Sequence, residues 1–268
     1  MKHCDPKDPH VGAEPNREAE GRGAAHEDRP KIWRCNPKDE EEHVRGMLPA
    51  VPYAQTRAYV SDEELFPDGR VLPAYPFTRL DQIDVHVRLA ESDGLAETLD
   101  ALRSGAGETS PVALSGPMAL LSSLIDPTRL FKMVHDPAFD DTLLAFADAI
   151  ADYMVAAIEC GARVISFADI EGCVEIVGLR FFERHTGPAL IRCLKRIDPY
   201  LDDALVHLCG KSSACPVPVS DAELHPVLAA GTAASAGTGT RSNYVDALFA
   251  CAQRKDCRLI GNNCVHTS

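Results

Sequence analysis

From Asp136 to Gly161 apolar side chains return every three or four residues, at Leu143, Ala147, Ile150, Met154 and Ile158, with Leu144, Ala151 and Val155 beside them. That period predicts a long amphipathic helix. Its ends are marked as well. Asp136 precedes Pro137 as an N-cap precedes a proline at the first helical position, Asp140 and Asp141 fall in the electropositive first turn, and Gly161 supplies the stop. Asp126-Pro127 repeats the start signal one short helix earlier.

Around this helix the pattern changes to short apolar runs bounded by turn residues. Pro111 to Ser115, Arg163 to Ala168, Ala204 to Cys209 and Arg258 to Gly261 read as buried strands. Helical stretches over about Phe181 to Ile197 and Asn243 to Arg254 alternate with them, and a loop rich in Gly, Ala, Thr and Ser spans Gly231 to Thr240. Strand and helix in alternation imply an α/β fold with parallel strands. Units of this size suit a (β/α)8 barrel of the TIM type, reduced or incomplete because fewer than eight strands are legible.

Upstream the pattern is poorer. Between Ile32 and Ala74 prolines at 37, 49, 52, 67 and 73 interrupt the apolar positions, which predicts short helices joined by extended loops. Residues 1–30 hold almost no large apolar side chain and read as a disordered tail, leaving 31–268 as a single barrel domain.

The chain has 268 residues and a formal charge of -13, so it lacks the positive field that holds nucleic acid or an anionic membrane. No apolar run approaches the ~18 residues of a membrane span, and the N-terminus lacks the apolar stretch of a signal peptide. The expected location is the cytoplasm, where the ten cysteines are buried small side chains, metal ligands or nucleophiles rather than disulfides.

His207 and Cys209 alternate on a strand and so share one side, roughly 6 to 7 Å apart at Cα. Cys264 falls just past the last strand and therefore at the same carboxyl edge. One His and two Cys match the preferences of Zn²⁺, leaving a fourth position at which an incoming thiol would be held as thiolate. Three other readings compete. The His207 and Cys209 pair can be buried without a metal, Cys264 and His266 can close an inert Cys₂His₂ site, and Cys215 can replace Cys264 in a local site. Asp221 or Glu223 is a candidate displaceable fourth ligand, although a solvated helix start accounts for them better.

Asp169 and Glu171 follow a strand directly, placed to contact a ligand, hold a cofactor or move a proton; helix capping and solvation explain them as readily. Ser115-Gly116-Pro117 makes a tight strand-end turn that lets a large ligand approach the backbone, although turn geometry would also account for it. Cys160, Cys173, Cys193, Cys251 and Cys257 read as filler. A P-loop, a G-x-G-x-x-G after a strand, H-E-x-x-H and G-x-S-x-G are all missing, which weakens nucleotide-dependent and serine-hydrolase readings.

SGPMALLSSLIDPTRLFKMVHDP (115–137), FADIEG (167–172), VHLCGKSS (206–213) and RLIGNNCVH (258–266) together resemble the uroporphyrinogen decarboxylase superfamily, and within it the methylcobalamin:thiol methyltransferases. The resemblance runs from about residue 75 to the end. It implies a (β/α) barrel in which zinc, held by His207, Cys209 and Cys264, activates a small thiol that takes a methyl group from the corrinoid of a partner protein. Asp169 and Glu171 then stand where the family places acidic residues near its ligand pocket; Ser115 and Gly116 remain candidate cofactor contacts on the strength of their strand-end turn. The Arg-rich N-terminal substrate motif of the true decarboxylases is not found, which disfavours decarboxylation. The distance from Cys209 to Cys264 is shorter than the family normally has, which implies a reduced or lost strand and leaves a non-catalytic corrinoid- or partner-binding barrel as the alternative.

Overall fold

A computed structural model of the chain describes residues 53–69, 73–108, 110–201, 204–208, 225–226, 252 and 259–261. Among the described residues five strands form one sheet: β1 Val112–Ser115, β2 Val164–Ala168, β3 Leu205–Leu208, β4 His225–Pro226 and β5 Leu259–Gly261. All pairings are parallel, in the order β1-β2-β3-β5-β4. The α/β class and the four predicted strands are thus observed, each strand within a residue of its expected ends.

The order of the last two strands departs from a (β/α)8 ring, in which each strand lies beside the next in sequence. Here β5 pairs with β3 through Val206↔Leu259 and His207↔Ile260, and β4 lies outside it. Pro226 suits that outer place because it has no N–H to offer a further strand. No strand was expected at His225–Pro226, a stretch too short for alternation to show. The tail 1–30, the Gly231–Thr240 loop and most of the Asn243–Arg254 helix lie outside the described residues.

The helices used below are α1 Ala54–Arg57, α2 Pro117–Leu124, α3 Pro127–Leu130, α4 Pro137–Glu159 and α5 Gly187–Ile197. Both Asp-Pro starts form as expected: Asp126 accepts from the Arg129 N–H at 3.2 Å and Asp136 from the Ala138 N–H at 3.0 Å. Leu143, Phe146, Ala147, Ile150 and Met154 of α4 are fully buried. Against them α5 sets Leu190, Cys193, Leu194 and Ile197, a three-and-four spacing on one face. Outside this seam Arg192 holds Asp148 by two bonds of 2.7 Å, and Arg196 bridges Asp148 and Asp152.

The stretch expected as one helix over 181–197 is broken by a π-helical turn, Phe182–Thr186. Tertiary partners account for the turn better than local preference does. His185 Nδ1 lies 2.6 Å from Asp140 Oδ1 on α4, and Thr186 donates to the carbonyl of Gly172 at 2.8 Å. Among the described residues no helix is long and apolar enough to cross a membrane.

Strand alternation gives the sheet two unlike faces. Val112, Leu114, Ile165, Phe167, Val206 and Leu208 join the helices in one continuous apolar core. The other face carries a row set by the register: Ala113, Ser166, His207, then the positions of Ile260 and His225. Two polar side chains in that row, Ser166 and His207, have no exposed surface at all.

Candidate active site at the carboxyl edge of the sheet

Asp169 leaves β2 and turns toward α2. Its Oδ1 accepts from the Ala119 N–H at 2.8 Å and its Oδ2 from the Met118 N–H at 3.4 Å, so it caps the first turn of that helix. The carboxyl is buried, and burial pushes its pKa up to about 7 in spite of the two N–H donors; the charge of Glu171 pushes the same way. A buried carboxyl that titrates near neutrality is thus placed at the end of β2. Glu171, half-buried two residues on, acts on it through space.

The Ser115-Gly116 turn is fixed from two sides. The Ser115 N–H donates to Gln55 Oε1 at 2.7 Å, and Gln55 Nε2 donates back to the Ser115 carbonyl at 3.0 Å. A side-chain amide on α1 therefore takes the place of a neighbouring strand at this end of β1. Gly116 meets Asp169: an added Cβ would lie 2.3 Å from Asp169 Cβ and 2.5 Å from its carboxyl carbon. Gly172 is confined by the same carboxylate, since an added Cβ there would lie 2.8 Å from Asp169 Oδ2.

His207 sits in mid-strand on β3, wholly buried, with Nδ1 3.1 Å from the hydroxyl of Ser166, its register partner on β2. Cys209 and Cys264 lie outside the described residues, as do Cys215, Asp221, Glu223 and His266. Among the described residues no three metal-ligating side chains cluster. The register nevertheless sets the strand bearing His207 directly beside the one that leads to Cys264.

Cys160, Cys173 and Cys193 are not in disulfides, and the latter two are buried. Burial raises the Cys193 thiol well above its usual range, which fits an inert packing role.

Two participants went unnoticed in the sequence. Gln55 stands in a proline-broken region where no period singles it out. Ser166 was visible as the one hydroxyl in the buried run VISFA, and that mismatch was the available signal.

The family model described as uroporphyrinogen decarboxylase matches residues 67–231, more than half of the chain. The chain belongs to the uroporphyrinogen decarboxylase family. The matched segment contains β1 to β4, Asp169, Glu171, His207 and Cys209, and stops short of β5 and Cys264. No curated protein matches the chain. Among solved structures it is similar to a methyltransferase from Methanosarcina mazei, at 17% identity and a TM-score of 0.43, over 69% of this chain and 63% of that one.

Proposed function

We propose that this member of the uroporphyrinogen decarboxylase family is a zinc-dependent methyltransferase that moves a methyl group from a methylated corrinoid, carried by a partner protein, to a small thiol. The observation that carries the reading is the pairing of His207 with Ile260. Cys209 follows His207 by two positions and Cys264 follows Ile260 by four, so in the sequence each thiol comes a few residues after one member of that pair. The donor set fits zinc: one buried imidazole backed by a hydroxyl, and two thiols.

His207, Cys209 and Cys264 would hold the ion, which when bound keeps an incoming thiol deprotonated. In the overall reaction a sulfur–carbon bond forms as the cobalt–carbon bond breaks; its electron pair stays on cobalt as Co(I), and the thiol proton is released. Asp169 and Glu171 are the acidic residues of the pocket edge. Asp169 caps α2 beside the Ser115-Gly116 turn, where the corrinoid is proposed to approach, and its carboxyl can bind a proton near neutral pH. A (β/α) barrel with its last strands rearranged is the architecture proposed for the whole domain, and the cytoplasm its compartment.

The test is thiol-dependent demethylation of methylcobalamin, followed by its visible spectrum, together with zinc stoichiometry. Wild-type protein is expected to bind one zinc and demethylate the corrinoid; Cys209→Ala is expected to lose both. Full zinc occupancy in that variant overturns the ligand set. Zinc without thiol-dependent demethylation favours a non-catalytic corrinoid- or partner-binding barrel, and turnover of a tetrapyrrole-like acid in chelator favours a decarboxylase.

A further inference from the structure

We propose that Ser166 is a positioning residue that sets the tautomer of His207, with the imidazole Nδ1–H donating to Ser166 Oγ and Nε2 carrying the lone pair offered to the metal. The inference deepens the metal reading above and rests on it. It begins with a misfit. Strand β2, VISFA, is buried at every position, and Ser166 is its single polar side chain. A hydroxyl there costs free energy unless it is hydrogen-bonded, and a serine gains less from a pleated surface than the Val or Ile beside it. Its partner across the parallel register is His207, at 3.1 Å between Oγ and Nδ1.

A serine hydroxyl can accept from Nδ1–H or donate to Nδ1. In a neutral imidazole only one nitrogen carries the proton. If Ser166 donated, the ring proton would sit on Nε2 and remove the lone pair needed there. If Ser166 accepts, Nε2 is the coordinating nitrogen and Nδ1–H is held. The contact with Ser166 and coordination through Nε2 are therefore compatible in one tautomer, the arrangement in which an outer hydrogen bond orients a metal-ligating histidine. Adjacent parallel strands fix both Cα atoms, so the pair is preorganised by the sheet rather than by a loop.

The experiment is long-range ¹H–¹⁵N correlation on histidine-labelled full-length protein, first without metal and then with zinc, with His207 assigned by the signals lost in His207→Gln. Without metal, His207 is expected to show a protonated Nδ1 and an unprotonated Nε2; added zinc should shift Nε2. Ser166→Ala is expected to mix the tautomers and weaken zinc binding about tenfold or more. Predominant Nε2 protonation in the metal-free wild type overturns the proposal, as does a Ser166→Ala variant with unchanged tautomer and zinc affinity. Should that variant fail to fold, the wild-type spectrum decides. Because the tautomer is read without metal, a wild-type protein that binds no zinc refutes the metal reading separately from the Ser166–His207 pairing.

Discussion

Gly116 and Asp169 share one small volume at the carboxyl edge of the sheet, with only 2.3 Å between an added Cβ on the first and Cβ of the second. Gly116→Ala is therefore expected to displace the Asp169 carboxyl from the Met118 and Ala119 N–H groups, because the new methyl and Asp169 Cβ cannot occupy the same space. The cost is about 1–3 kcal/mol, the range of an overpacked core. Urea denaturation of the variant checks it; an unchanged midpoint would show that the turn relaxes freely.

Asp169 makes stability depend on pH in an unusual direction. Its folded pKa is raised to about 7 from an ordinary 3.8, so between those values the folded chain keeps a proton that the unfolded chain releases. Stability from this group is full in acid and declines as pH climbs toward neutral, by at most about 1.4 kcal/mol per pH unit. Asp169→Asn is expected to abolish that decline, since the amide does not ionise while its oxygen still accepts from Ala119. Unfolding midpoints of the two proteins at pH 5, 6 and 7 test this: parallel curves would count against it.

Gln55 bonds both main-chain groups of Ser115. Gln55→Ala leaves a part-buried donor and acceptor unpaired, at about 1–3 kcal/mol for each group fully stranded from water. A fall of roughly 2–4 °C in Tm is expected for each kcal/mol lost. Gln55→Glu should also destabilise, because a carboxylate facing the Ser115 carbonyl has no proton to donate. Thermal scans of both variants measure the effect, and wild-type Tm values would remove Gln55 from the account.

The choice between Cys215 and Cys264 as the second thiolate separates two metal sites. With β5 paired to β3, Cys264→Ser is expected to lose zinc while Cys215→Ser retains it. Elemental analysis and zinc-edge absorption, which counts sulfur neighbours, read the result. The reverse pattern would establish a local His207, Cys209, Cys215 site.

Much of the α/β frame was legible because its signals are local. Asp136-Pro137 starts α4 and Gly161, at φ 107, ends the turn beyond it, since each acts on its own few bonds. The helix Asp93–Arg103 was equally readable in principle, from Leu95, Leu99 and Leu102, all buried at a helical spacing. The π turn at Phe182–Thr186 was not, because its cause is a residue on another helix, Asp140.

Of the candidate site, sequence placed Asp169 just after a strand and His207 on one, but left their work open between ligand contact, capping and packing. Capping of α2 by Asp169 became visible only when β1 and β2 were set side by side, because Met118 and Ala119 lie about fifty residues upstream of it.

Alternation of apolar runs and amphipathic stretches determined by itself that this chain would build parallel strands covered by helices, since periodicity is a property of neighbours along the backbone. Which strands touch was decided only by folding. The seat of β5 between β3 and β4, the Gln55 amide closing the end of β1, and the facing of Ser166 with His207 all join residues far apart in sequence. Such contacts depend on how whole elements exclude water together, and no local pattern records that.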